Sequence, residues 1–132
     1  MSEEESVLSA NLVFYQAFAL RNMQTMENIW AKEARPTCIH PGWAPLVGRD
    51  QVIKSWRTIL GDGGIASIKC SNARAFIYGE YAYVICQEHL EFNVLSATNI
   101  FLKEGDTWKI IHHQASPSLN LGTMAPATKT LQ

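Results

Sequence analysis

Charge is scarce in this sequence, and so are the features that mark nucleic-acid, membrane and secreted proteins. Only 17% of the 132 residues are charged, 11 basic against 12 acidic, for a net charge of −1. No cluster of Lys and Arg is available to neutralise phosphates, which argues against a nucleic-acid partner. No apolar run approaches the ~18 residues of a membrane span, so no membrane partner is expected either. The first six residues are acidic, where a secretory leader carries positive charge, and the expected location is cytoplasmic. The three cysteines (Cys38, Cys70 and Cys86) are odd in number, widely spaced and outside any CxxC pair. They read as reduced, buried thiols rather than a disulfide framework or a zinc site.

What remains is apolar. A hydrophobic fraction of 47% with so little charge excludes disorder for most of the chain, and the length suits one domain. Residues 1–117 are expected to form that domain. The Ser/Pro/Thr/Ala-rich stretch 118–132 lacks apolar periodicity and reads as an irregular tail. Ser2-Glu-Glu-Glu5 is a capping box opening a helix with an apolar stripe through Val7/Leu8, Asn11/Leu12, Phe14/Tyr15 and Phe18/Ala19. Asn22 caps a second helix carrying Met23, Met26, Ile29 and Trp30, which Pro36 ends. After an extended Thr37–His40 and a Pro/Gly loop, Asp50 opens a third helix with Val52, Trp56 and Ile59 on one side. Gly61-Asp-Gly-Gly64 stops it.

From Ile65 the pattern changes to strands: Ile65–Ile77 with a bulge where its alternation slips, then Tyr81–Asn93, Ala97–Lys103 and Thr107–Ser116. Helices followed by an antiparallel meander predict an α+β fold, with the helices in the concave face of a strongly bent, mostly antiparallel sheet. Alternation along Tyr81–Asn93 puts Ala82, Val84, Cys86, Glu88, Leu90 and Phe92 on the inner face. Glu88 is the lone carboxylate there. It is either a structural pair or a pocket acid or base with a raised pKa.

Adjacent His112 and His113 point to opposite sides of a strand and cannot share one ion, so no metal site is expected. Trp30 and Trp56 sit on apolar helix faces, whereas Trp43 lies in the Pro/Gly loop and suits a lid over a cavity mouth. The other strand face, with Tyr81, Tyr83, Ile85, Ile100, Leu102 and Ile110, is too apolar for a solvated sheet. A homodimer burying it is the expected answer.

Four stretches carry a family likeness: His40-Pro-Gly-Trp43, Gly48-Arg-Asp-x-Val-Ile-x-Ser-Trp56, Ala97-Thr-Asn-Ile-Phe101 and Trp108-Lys-Ile-Ile-His-His-Gln-Ala-Ser-Pro117. They resemble the SnoaL-like branch of the nuclear transport factor 2-like superfamily. The resemblance implies a cone-shaped α+β barrel with a hydrophobic pocket between helices and sheet. It is similar also to kinase association domains, which imply Val52, Trp56, Glu88, Asn99, His113 and Ala115 as the pocket face; the arginines those domains carry at Glu88, Asn99 and Ala115 are absent here. By likeness to ketosteroid isomerase, the first-helix tyrosine falls on Phe14, the catalytic base on His40-Pro41 and the oxyanion-stabilising acid on Asn99.

These readings converge on one expectation. A small apolar or polycyclic ligand, with a carbonyl or enolisable position, enters a pocket lined by Tyr15, Trp30, Trp43, Val52, Trp56 and Ala115. His40 or Glu88 takes a proton, Asn99 and His113 hold the developing oxyanion, and no cofactor is called for. The alternative is a module of the same fold that binds a ligand or assembles as a dimer without turnover.

Overall fold

Ser2 starts the chain's first helix in the computed structural model, which describes residues 1–61 and 67–119. Its hydroxyl accepts the Glu5 N–H while the Glu5 carboxylate accepts the Ser2 N–H, closing the capping box at the head of α1 (Glu3–Ala19). The buried side of α1 carries Val7, Asn11, Phe14 and Tyr15, spaced by three and four residues. Asn22 caps α2 (Met23–Ile29) by accepting the Thr25 N–H. This helix does not run on toward Pro36. Trp30 turns extended and bridges to Ile110, and the Arg49 guanidinium takes the carbonyls of Glu27, Trp30 and Ala31. Those are the acceptors a helix end leaves open, so the helix can stop early.

The chain continues through β1 (Thr37–Ile39), β2 (Leu46–Val47), α3 (Arg49–Gly61), β3 (Lys69–Tyr78), β4 (Tyr81–His89), β5 (Val94–Glu104) and β6 (Thr107–Pro117). In α3 the fully buried residues are Val52, Ile53, Ser55, Trp56 and Leu60, while Ile59 is half-buried. The expected glycine stop at 61–64 and the start of the next strand at Ile65 fall mostly outside the described residues. So does nearly all of the expected tail. The strands form one six-stranded mixed sheet in the order β2-β1-β6-β5-β4-β3, with β1 parallel to β6 and the other neighbours antiparallel. The three helices pack on its inner face, so the fold is α+β.

Two bulges decide which side chains face the helices. In β3 the register shifts between Ser71 and Arg74, with Asn72 at φ +55°, as the slipped alternation predicts. In β6, His112 pairs with Ile100 but Ile110 pairs with Phe101, so Ile111 is the extra residue. Trp108 and Ile110 therefore point inward ahead of the bulge, and His113 and Ala115 point inward after it. The outer-face assignment of Ile110 is thus corrected: it is fully buried in the core.

A second correction concerns β4, which stops at His89. Leu90–Asn93 forms the turn, closed by Leu90 N–H to Asn93 C=O at 2.9 Å, and β5 begins at Val94 rather than Ala97. Phe92, expected inward, stands 90% exposed on that turn.

Candidate functional site

The interior between α1, α3 and the sheet is lined by rings and holds a small set of polar groups that bond chiefly to one another. β4 presents Glu88, β5 presents Asn99, β6 presents His113, and α1 presents Asn11 and Tyr15 one turn apart. None is more than 3% exposed. Their hydrogen bonds form one network. Tyr15 Oη donates to Glu88 Oε2 at 2.6 Å. Asn99 Nδ2 donates to Asn11 Oδ1 at 2.8 Å and to Tyr15 Oη at 3.2 Å. That leaves Asn99 Oδ1 as an acceptor, so His113 Nδ1, 2.5 Å away, carries the proton and Nε2 has the lone pair. His113 Nε2 lies 3.9 Å from Glu88 Oε2, too far for a hydrogen bond.

The protonation states follow from the dryness of the site. Burial pushes the Glu88 carboxyl above its ordinary pKa, opposed by the Tyr15 hydrogen bond. Burial, with His40 and His112 as neighbouring imidazoles, lowers His113 to about 3, so it is neutral at physiological pH. Tyr15 is held far above its usual value by burial and by Glu88, and stays a phenol. A carboxyl with a raised pKa and a neutral imidazole thus face each other. Tyr15 takes Oε2 of the acid, and no hydrogen bond among the described residues reaches Oε1.

A second, smaller group borders this network. His40 Nε2 meets Ser55 Oγ at 2.9 Å, and Ser55 gives its own proton to the Val52 carbonyl at 2.7 Å. Nε2 must therefore be the donor, leaving the lone pair on Nδ1; among the described residues its hydrogen-bond neighbour is the Cys38 thiol at 3.9 Å, a sulfur that lies 3.6 Å from Nε2. Burial lowers His40 to about 4. The His40 ring lies 4.8 Å from Trp56 and 6.4 Å from His113, and Trp43 covers it edge-on at 4.8 Å. Trp43 is 44% exposed.

His40, Glu88, Asn99 and His113 are thus within one interior, with Tyr15 and Trp56 among them. Val52 contributes its carbonyl, and Ala115 lies on the same face, paired with Ala97. Trp30 is fully buried, its ring 6.5 Å from that of Phe14. Neither Asn99 nor His113 has a spare N–H in this arrangement, because each proton is given to a protein acceptor. Tyr15, next to Phe14, places a phenol in this interior. Asn11 and Ser55 went unrecognised in the sequence, although a polar residue inside an apolar helical stripe is a readable signal. Trp56 Nε1 is buried without an acceptor, an N–H in the same interior that water or a ligand oxygen would satisfy.

A hollow of about 890 Å³ lies elsewhere. It lies on the outer face and is lined by Arg74, Ile85, Gln87, Thr98 and Gln114 among others. On that face His112 bonds Thr37 Oγ1 through Nδ1 at 2.6 Å, away from the interior that holds His113. No group of three His, Cys, Asp or Glu that could hold a metal occurs among the described residues. No helix of the described chain is long and apolar enough to cross a membrane.

No curated protein matches the sequence. Two solved structures share 29% identity with it. One is a dehydratase candidate of the nuclear transport factor 2-like family from Streptomyces avermitilis, with a TM-score of 0.83 over 89% of this chain and 96% of that one. The other is a candidate calcium/calmodulin-dependent protein kinase type II association domain from Thiobacillus denitrificans, with a TM-score of 0.75 over 83% and 93%. A ketosteroid isomerase-like protein from Erwinia carotovora atroseptica shares the fold alone, at 12% identity and a TM-score of 0.70 over 89% and 98%. The family model of the SnoaL-like domain matches residues 7–120, and the chain belongs to that family.

Proposed function

We propose that this SnoaL-like protein takes a small, mostly apolar carbonyl compound between its helices and sheet and moves a proton on it, as an isomerase or dehydratase does. The observation that carries this reading is the 2.6 Å hydrogen bond from Tyr15 to Glu88 Oε2 in an interior that offers the carboxyl no cation. Desolvation favours the protonated form of Glu88, and with Oε2 engaged its proton belongs on Oε1. An Oε1–H without a protein acceptor is a donor for a substrate carbonyl, whose oxygen gains charge as the α-proton leaves. Tyr15 positions that acid.

His40 is the base. Its Nδ1 lone pair is free apart from a weak thiol contact, and the Ser55 hydrogen bond to Nε2 holds the tautomer. A base with a pKa in the 4–5 range suffices for removing a proton α to a carbonyl when a neutral acid stabilises the oxyanion. General base action of this kind contributes ~10²–10⁴-fold. Trp43 over His40 marks the Pro41–Pro45 loop as the side where the ligand enters. In dehydration the same pair works on a β-hydroxy carbonyl, His40 taking the α-proton and Glu88 protonating the departing hydroxyl. The dehydratase candidate among the structural relatives supports that variant.

Native mass spectrometry of freshly purified protein identifies a retained compound, and NMR in D₂O then follows exchange of its α-protons. Exchange is expected with wild type, at least 100-fold slower with His40→Asn or Glu88→Leu, and within tenfold of wild type for Glu88→Gln, whose amide still donates. A ¹³C titration placing Glu88 at an ordinary carboxylate pKa would remove the acid and sink the reading.

A second reading rests on the outer face, where Phe76 and Tyr83 stack at 4.9 Å and Tyr78 and Tyr83 at 6.1 Å, with Tyr78 65% exposed and Tyr81 54% exposed. Such a patch supports self-association of two copies through the sheet, with or without turnover inside.

A further inference from the structure

The proposed chemistry makes no use of two thiols that lie against the buried network. Cys70 on β3 and Cys86 on β4 point to the inner face of adjacent strands. Cys70 pairs in register with Glu88, so Cys86 is its diagonal neighbour two residues along. The β3 bulge between Ser71 and Arg74 falls at this place and adds twist there. The two thiols lie close enough to shift one another's protonation, Cys70 upward and Cys86 downward. Each also touches α1: Cys70 Sγ accepts from Asn11 Nδ2 at 3.7 Å, and Cys86 Sγ meets Tyr15 Oη at 3.3 Å. Cys70 is half-buried, and Cys86 is 6% exposed.

We propose that Cys70 and Cys86 are a redox modification site, converted to a reversible disulfide by a hydroperoxide. The two cysteines sit diagonally on adjacent strands, and the bulged end of β3 supplies the closure that a Cβ–Cβ separation of about 3.8 Å demands. Cys70 beside it lowers the Cys86 thiol from its usual pKa, against the effect of burial, and the first attack is therefore placed on Cys86. It attacks the peroxide, the O–O bond breaks, and a sulfenic acid forms on Cys86 as the alcohol or water departs. The Cys70 sulfur then attacks that sulfenic sulfur, the S–S bond forms, and the hydroxyl leaves as water with the Cys70 proton. Two thiols lose two electrons and the peroxide gains them. Cys38 is the internal control, because it is fully buried and burial raises it to about 12.

Oxidation would also be felt inside. The bridge draws Cys86 away from Tyr15 and Cys70 away from Asn11, both partners of Asn99. The inference does not depend on turnover, and its test uses none.

The native full chain is treated with hydrogen peroxide, and intact mass and peptide mapping follow the product. The expected result is a loss of two mass units from a Cys70–Cys86 link, reversed by dithiothreitol, with the Asn11 and Asn99 side-chain amide resonances displaced. In Cys70→Ser the product is expected to be a sulfenic acid on Cys86, one oxygen heavier. Cys86→Ser is expected to react at least tenfold more slowly. The proposal is overturned if the folded protein keeps both thiols, if the link forms only after unfolding in guanidinium, or if Cys86 passes to sulfinic acid while Cys70 is present. A bridge that leaves the Asn11 and Asn99 resonances in place would overturn its connection to the network.

Discussion

The two faces of β4, β5 and β6 are built from the same three strands, yet they settle their polar groups in opposite ways. Inside, Glu88, Asn99 and His113 are at most 2% exposed and are answered only by each other and by α1. Outside, Gln87, Thr98 and Gln114 line an open hollow that solvent can reach, Gln87 accepting from Asn72 at 2.8 Å, and the aromatics nearby stack on one another. A polar group in a dry interior is only as stable as its partner, because an orphaned donor or acceptor cannot turn to solvent. The inner face should therefore respond to single changes as a unit, and the outer face residue by residue.

Asn99→Ala is the strongest attempt to break that contrast. It removes the acceptor of His113 Nδ1 and the donor to both Asn11 and Tyr15, leaving several groups unpaired at once. A loss of about 4 kcal/mol in urea unfolding is expected, from two or more orphaned polar groups and the space left behind. A loss near 1 kcal/mol would mean that water already serves these groups, and that the inner face is no drier than the outer one.

How much of this contrast was legible in the sequence depends on which strand is read. β4 runs without a bulge from Tyr81 to His89, so simple alternation correctly turned Glu88 inward. β6 defeats the same rule. Parity counted from buried Trp108 and Ile110 would send His112 inward, and the unpaired Ile111 resets it to His113. That placement was available only from the family likeness of the closing strand, because nothing in Ile110-Ile-His-His113 announces an extra residue. Phe92 was misplaced for a related reason, since an apolar residue in phase with a strand does not reveal that the strand has ended. The capping box of α1 is a local pairing three residues apart and was fully readable. The network is not local: Asn99 and Asn11 are 88 residues apart, and their hydrogen bond has no signature in either segment.

Acid sharpens the comparison next. The folded-state pKa values of His40 and His113 are depressed, to about 4 and about 3, from an ordinary 6.5. The unfolded chain therefore binds protons first. Stability is fully present above pH 6.5 and is lost as pH falls toward those folded values, by about 2 kcal/mol per histidine between pH 6.5 and 5. Glu88 works the other way. Its folded pKa is raised, so its contribution is present below the ordinary carboxylate value and fades as pH rises through the folded one. Urea unfolding should show the histidines' proton uptake growing from pH 7 to pH 5, offset by the proton Glu88 releases, and at pH 5 the uptake should fall by about one in His113→Gln. A flat profile in that window would place the histidines in water.

Tyr83→Ala is the mildest perturbation, and it tests the outer face on its own terms. Tyr83 stacks on Phe76 and on Tyr78 but gives no hydrogen bond to another side chain among the described residues, so its removal orphans nothing. The stability of the monomer should fall by about 1 kcal/mol, the scale of a cross-strand aromatic pair. The inner network should not register it, and the ¹³C titration of Glu88 should overlay that of wild type. Assembly is where the change should appear. If two copies meet through this face, the substitution removes an aromatic ring from each side of the interface, and sedimentation should show the dimer dissociating at concentrations where wild type stays paired. A variant that remains dimeric would remove this face from the interface. A variant that shifts the Glu88 titration would show that the two faces communicate through the strands they share.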